Sequence, residues 1–148
     1  MSRIWETPGS EKPLSAQSWT KPVLWGVAFG VFQAFSPLAF WWLEPIVVWS
    51  LSLVLIAAIY IGFAVADGRR LVLVVEVLVA SAFVIIGAAA IRWAPWLVVI
   101  GLVAHGLKDT WQERTHFVAN TRWWPPFCLV VDFVAAALIA VKIFKAAG

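Results

Sequence analysis

The chain has 148 residues, of which 63% are hydrophobic and 13% charged, with a mean hydropathy of +0.91. That composition excludes an ordinary soluble globular domain and marks an integral membrane protein whose main partner is the lipid bilayer. The formal charge of +3 comes with no basic run and no aromatic-basic interleaving, which argues against nucleic acid as a partner and makes the basic residues topology signals.

In chain order, residues 1–21 form a polar tail without an apolar core of signal-peptide length. Trp5 and Trp19 suit it to lie along the membrane surface. Residues 22–148 are expected to form an all-α membrane bundle of five transmembrane segments. The first is Pro22 to about Trp42, interrupted by Ser36-Pro37, where proline should kink or stop the helix. The second is Ile46 to Ala66, closed by Asp67-Gly68-Arg69-Arg70, and the third is Leu71 to Ile91, followed by Arg92-Trp93-Ala94-Pro95. The fourth runs from Trp96 to about Trp111, and the fifth from Phe127 to about Phe144. Segments of roughly 16 to 21 residues suit a hydrocarbon core about 30 Å thick. Trp41, Trp42, Trp93, Trp96, Trp111, Trp123 and Trp124 fall near segment ends, as an interfacial aromatic belt requires. Small residues at Gly87-Ala88-Ala89-Ala90 and Ala135-Ala136-Ala137 point to close helix contact.

With five segments, Arg3, Lys12, Lys21, Arg69, Arg70, Lys108, Arg114 and Arg122 share one side, against Arg92, Lys142 and Lys145 on the other. By the positive-inside rule this puts the N-terminus, the second-to-third turn and a 112–126 loop in the cytoplasm and the C-terminus outside. A four-span arrangement, in which the Pro37 segment dips in and returns, places Arg69 and Arg70 opposite the tail and loses that bias.

The chemistry concentrates between Gly101 and Phe133, which hold both histidines and the only cysteine. On one continuous helix His105, Asp109, Glu113 and His116 fall at about 0°, 40°, 80° and 20°, with Gln112 at about −20°, so they form one stripe. Glu76 lies about 9 Å into the third span and Asp132 about 10 Å into the fifth, both from the cytoplasmic end. Glu76, Asp109 and Asp132 can therefore share a layer with His105 about one turn deeper, and Gln33 and Tyr60 are expected at comparable depths. Exposing such groups to lipid costs roughly 2.5–3.5 kcal/mol for a central charge, so they should face the bundle interior. Three carboxyl groups sharing such a layer should hold at least one proton unless His105, Lys108 or a cation neutralises them.

Candidate active residues are His105, Asp109, Asp132 and Glu76. A metal would take His105, Asp109 and Asp132, with Glu113 or Glu76 as a fourth group, a donor set that suits a divalent Zn, Mn or Fe ion. The same cluster could serve as an acid-base pair or proton relay, or as a satisfied network that sets helix register. Cys128 is expected to be a buried, reduced thiol and His116 a solvated loop residue. There is no phosphate-cradling loop, serine nucleophile elbow or His-Glu-x-x-His pair. Two histidines are too few for a histidine-box di-iron enzyme, and Lys142 stands too near the end of the last segment for a retinal Schiff base. Transport through an inverted repeat finds no repeat to rest on.

His105-x3-Asp109, followed after a short loop by Pro126-x-Cys128-x3-Asp132, resembles an uncharacterised family of small bacterial polytopic membrane proteins. The likeness covers about the last third of the chain. It implies about five helices with a site in the last two. Where that family tends to have paired histidines after the aspartate, this chain has Gln112-Glu113. Two functions follow as expectations: metal-assisted or acid-base chemistry, or movement of protons or a small solute, at a cluster open to the cytoplasm; and a structural role in which the bundle meets another membrane protein or a second copy.

Overall fold

Helices form where the apolar runs lie and end at residues that stop helices, in a computed structural model that describes residues 20–119, 121 and 123–147. Met1 to Trp19 and Arg122 lie outside the described residues. Helix α1 (Thr20–Phe35) stops just before Ser36-Pro37, which opens a short 3₁₀ turn at Ser36–Leu38. Proline there lacks an amide donor and clashes with the preceding turn. Helix α2 (Pro45–Asp67) has a proline at its first position, where no amide partner is needed, and closes on Gly68 at φ 79°, a left-handed conformation that glycine adopts freely. Helices α3 (Arg70–Arg92), α4 (Trp96–Thr115) and α5 (Trp124–Ala147) complete the chain. No strand occurs among the described residues.

Three helices, α2, α3 and α5, are long and apolar enough to cross a membrane. Two boundaries differ from those expected. The fourth helix continues past Trp111 to Thr115, because Gln112 turns inward and is partnered while Glu113 and Arg114 lie on the outer faces. The fifth begins at Trp124 rather than Phe127, with Pro125 and Pro126 in its first turn. Amides there have no helical partner, so their loss costs nothing. The expected 112–126 loop thereby contracts to 116–123.

Helix α5 is packed on by both α1 and α4, α2 pairs with α3, and α4 also meets α2 and α3. Helices α1 and α5 run parallel: Gly26 meets Phe127 and Val130, Gly30 meets Val131 and Val134, and the Ala34 carbonyl meets Lys142. Gly26, Gly30 and Ala34 form a small-x3-small-x3-small stripe, all buried. It lets the backbones approach so closely that a Cβ on Gly30 would lie 2.8 Å from the Val131 carbonyl oxygen. This Gly-x3-Gly spacing is legible in the sequence, but the expected packing surfaces lay at Gly87–Ala90 and Ala135–Ala137. Those also pack, since Gly87, Ala90, Ala135 and Ala136 are buried.

The broken end of α1 is satisfied from two other helices. Lys142 Nζ donates to the Ala34 carbonyl at 3.0 Å and Trp49 Nε1 donates to it at 3.2 Å. The Lys142 ammonium also lies 3.7 Å from the centre of the Phe35 ring. A cation at a helix C-terminus is favoured by the helix dipole, which explains a lysine within the last turns of an apolar helix.

At the opposite end, Asp67 joins the α2–α3 turn to the α4–α5 loop. Its carboxylate accepts from Arg69 Nε at 2.6 Å and from the Ala119 amide at 2.7 Å, while Arg69 Nη2 donates to the Phe117 carbonyl at 2.7 Å. Hydrogen bonding to Asp67 raises the Arg69 guanidinium above its already high range. These two connections therefore lie together at one end of the bundle.

Candidate functional site

Helix α4 crosses the bundle with a polar face, and that face is what the other helices bury. Residues His105, Asp109 and Gln112, three to four apart, project from one side of it and are fully enclosed. Glu76 on α3 and Asp132 on α5 meet that face and are also 0% exposed. The close approach of α4 to α5 is made at Gly106, which faces Phe133 and the Asp132 Cβ.

Two connected groups result. In the first, His105 Nδ1 lies 2.7 Å from Asp132 Oδ2 and 3.4 Å from Asp109 Oδ2. One donor atom from each residue lies within 4.8 Å of the others. The imidazole is walled by Tyr60 and Phe83, whose ring centres lie 5.8 and 5.1 Å from it. In the second group, about one turn nearer the α4–α5 loop, Lys108 Nζ lies 2.7 Å from Glu76 Oε2 and 3.4 Å from the centre of the Tyr60 ring. Gln112 Nε2 donates to Glu76 Oε1, and Gln112 Oε1 accepts from the Val118 amide at 3.3 Å. Gln112 thus ties α3, α4 and the α4–α5 loop together.

The two groups differ in charge balance. Glu76 and Lys108 form a neutral pair when both are ionised. His105, Asp109 and Asp132 balance only if a divalent cation joins a neutral imidazole, or if two protons are held among the three. A net charge fully enclosed in low dielectric is too costly to keep. Both Asp109 carboxylate oxygens, Asp132 Oδ1 and His105 Nε2 are shielded without a hydrogen-bond partner among the described residues.

The structure brings together His105, Asp109 and Asp132, and sets Glu76 beside them in its own pair. Glu113, expected as a fourth metal ligand, is half-buried and outside the group. Each step of four residues advances about 40° around a helix, so two steps carry Glu113 off the face that meets α5. His116 leaves the stripe altogether: it is the exposed residue that ends α4 at φ 48°, its amide bonded to the Gln112 carbonyl at 2.8 Å. Gln33 is not at the level of the cluster. Gly30 already meets Val131 and Val134, so Gln33 stands more than a turn beyond Asp132, toward the C-terminal end of α5. Tyr60 does reach the cluster as expected, and Cys128 is buried with a free thiol. Phe83 was missed, although it lies seven residues after Glu76 and so on the same buried face of α3.

No family model, curated protein or solved structure matches the chain. The function must therefore be argued from these side chains.

Proposed function

We propose that this is a five-span protein of the bacterial inner membrane whose His105–Asp109–Asp132 cluster binds one divalent Zn, Mn or Fe ion and uses it for metal-assisted chemistry in the cytoplasmic half of the bilayer. The observation that carries the reading is the convergence of three buried donors within 4.8 Å, with three carboxylate oxygens otherwise unpartnered. Enclosed acceptors call for a cation or for protons, and one imidazole with two carboxylates suits these metals. Three protein ligands leave a coordination position for water or substrate, the arrangement of catalytic rather than structural sites. Glu76 and Lys108 form a separate ion pair about one turn nearer the α4–α5 loop. Lys108, with 11% of its side chain exposed, is the most accessible member and marks the approach from the loop end.

Elemental analysis and titration of the detergent-purified protein test this. One equivalent of metal is expected in wild-type protein, falling to background in His105→Ala and in Asp132→Ala, with Glu113→Ala unchanged. If wild-type protein takes up none when supplemented, the metal reading fails. The 2.7 Å contact between His105 Nδ1 and Asp132 Oδ2 then favours a proton-holding pair, or a lock between α4 and α5 in an accessory subunit.

Five spans rest on length and direction. At 1.5 Å per residue the 16 residues of α1 reach about 24 Å, and its 3₁₀ turn adds about 6 Å. The 20 residues of α4 reach about 30 Å, with their ionisable groups turned inward or near the loop end. Cysteines placed at Ser10 and Ala147 in a Cys128→Ala background should label from opposite faces of membrane vesicles, Ser10 from the cytoplasmic one. Labelling of both from one face would reject five spans.

A further inference from the structure

Helices α1 and α2 touch little, with Trp49 bonded to the Ala34 carbonyl, and both lean on other neighbours, α1 on α5 and α2 on α3. Between them runs a groove of about 680 Å³, floored by α5 at Phe127, Cys128 and Val131. Its walls are almost wholly apolar, with Trp25 and Phe29 on α1 and Leu55 and Ile59 on α2. It extends along α1 from Trp25 to Ser36, roughly 16 Å at 1.5 Å per residue. That is about half of a 30 Å hydrocarbon core, and the groove lies parallel to the helices, as lipid chains do.

Toward the C-terminal end of α1 three polar side chains join the lining, among Phe40, Leu43 and Val48. Gln33 is one of them, is only 6% exposed, and its Nε2 is shielded without a partner among the described residues. Ser36 and Ser52 line the same end; their hydroxyls donate to the Gln33 and Val48 carbonyls and keep free acceptor positions. The contact of Trp49 with Ala34 sets Ser52 close to the level of Gln33. This end coincides with the C-terminal end of α1, where a lipid headgroup region would lie. An amide donor enclosed away from water requires an acceptor, and a bare hydrocarbon chain has none.

We propose that the groove binds one glycerol-ester lipid of the surrounding bilayer, in the leaflet at which α1 ends, with an ester carbonyl accepting from Gln33 Nε2 and the acyl chain lying along α5 toward Phe127. This fits the size of the groove, within the range of small-ligand sites, and its length of a single leaflet. It also accounts for the separation of α1 from α2, since the lipid fills the space between them. The site is independent of the His105 cluster and stands whatever that cluster does.

An ester and an ether lipid of the same headgroup and chain length distinguish the proposal, because only the ester carries the carbonyl. After reconstitution in phosphatidylcholine vesicles and extraction into mild detergent, native mass spectrometry counts the lipids retained. Wild-type protein should keep one diester phosphatidylcholine about tenfold more strongly than its dialkyl ether analogue, the worth of one hydrogen bond made away from water. Gln33→Leu should retain both lipids equally, and Trp124→Phe, which removes the shielded indole donor at the other end of the groove, should keep the wild-type ratio. Equal retention of the two lipids by wild-type protein overturns the proposal, and that measurement needs no variant to fold. Loss of the ratio in Trp124→Phe rather than Gln33→Leu overturns the stated orientation. A lipid-free dimer would make a second copy of the chain the occupant and equally overturn it.

Discussion

Replacing Glu76 by leucine is expected to destabilise the protein by about 3–5 kcal/mol, the typical cost of stranding one member of a buried ion pair. Lys108 is then left with its ammonium over the Tyr60 ring and no counter-charge, and the Gln112 amide loses its acceptor. The leucine itself suits an apolar helix, so the loss measures the stranded partners and not the new side chain. The double variant Glu76→Leu/Lys108→Met should recover most of the loss, because removing both charges together leaves no unpaired ion. Thermal unfolding of wild type, Glu76→Leu, Lys108→Met and the double variant in one detergent reads this cycle. A single Glu76→Leu variant as stable as wild type would mean that the pair is not enclosed.

Gly30→Leu is expected to prise α1 from α5. Even the first carbon of a side chain would sit 2.8 Å from the Val131 carbonyl oxygen and from the Val134 Cβ, and neither backbone nor a β-branched side chain can yield without moving a helix. Forcing extra volume into such a contact costs about 1–3 kcal/mol, and α1 has few other contacts to hold it. Cys128, the only cysteine and buried beside this seam, reports the displacement directly. It should resist N-ethylmaleimide in the wild-type protein and react in Gly30→Leu. Gly62, where a Cβ would meet open space, should tolerate alanine without change in either measurement. An unreactive Cys128 in Gly30→Leu would reject the tight α1–α5 seam.

Much of the site was visible at the level of residues because ionisable groups are conspicuous in apolar sequence. His105, Asp109, Asp132 and Glu76 could be picked out, and helical spacing with the cost of lipid exposure required them to face inward. All four are enclosed. Spacing could not say which of them meet. A wheel gives the angle of each side chain about its own axis, whereas the rotation of neighbouring helices decides which angles face a partner. Hence Glu113, drawn on the stripe, lies outside the group, and Lys108, expected as a neutraliser of the whole layer, is the partner of Glu76 alone. Gln33 was expected at the level of the cluster for a similar reason. Its depth depends on how far α1 slides along α5, and the Gly26–Gly30 contacts set that slide.

The sequence alone was sufficient for the all-helical architecture, its five helices and most of their ends, because these depend on local properties: runs of apolar residues, a proline that breaks a helix and a glycine that can turn left-handed. Tertiary structure alone decided that α1 runs beside α5 while standing apart from α2, which opens the groove, and that α4 presents His105 to Asp132 while Lys108 turns to Glu76. These outcomes depend on which surfaces of different helices fit together, and no residue carries that information by its spacing along the chain. A stripe of glycines lets two backbones touch, and the polar side chains on the remaining faces then find the partners within their reach.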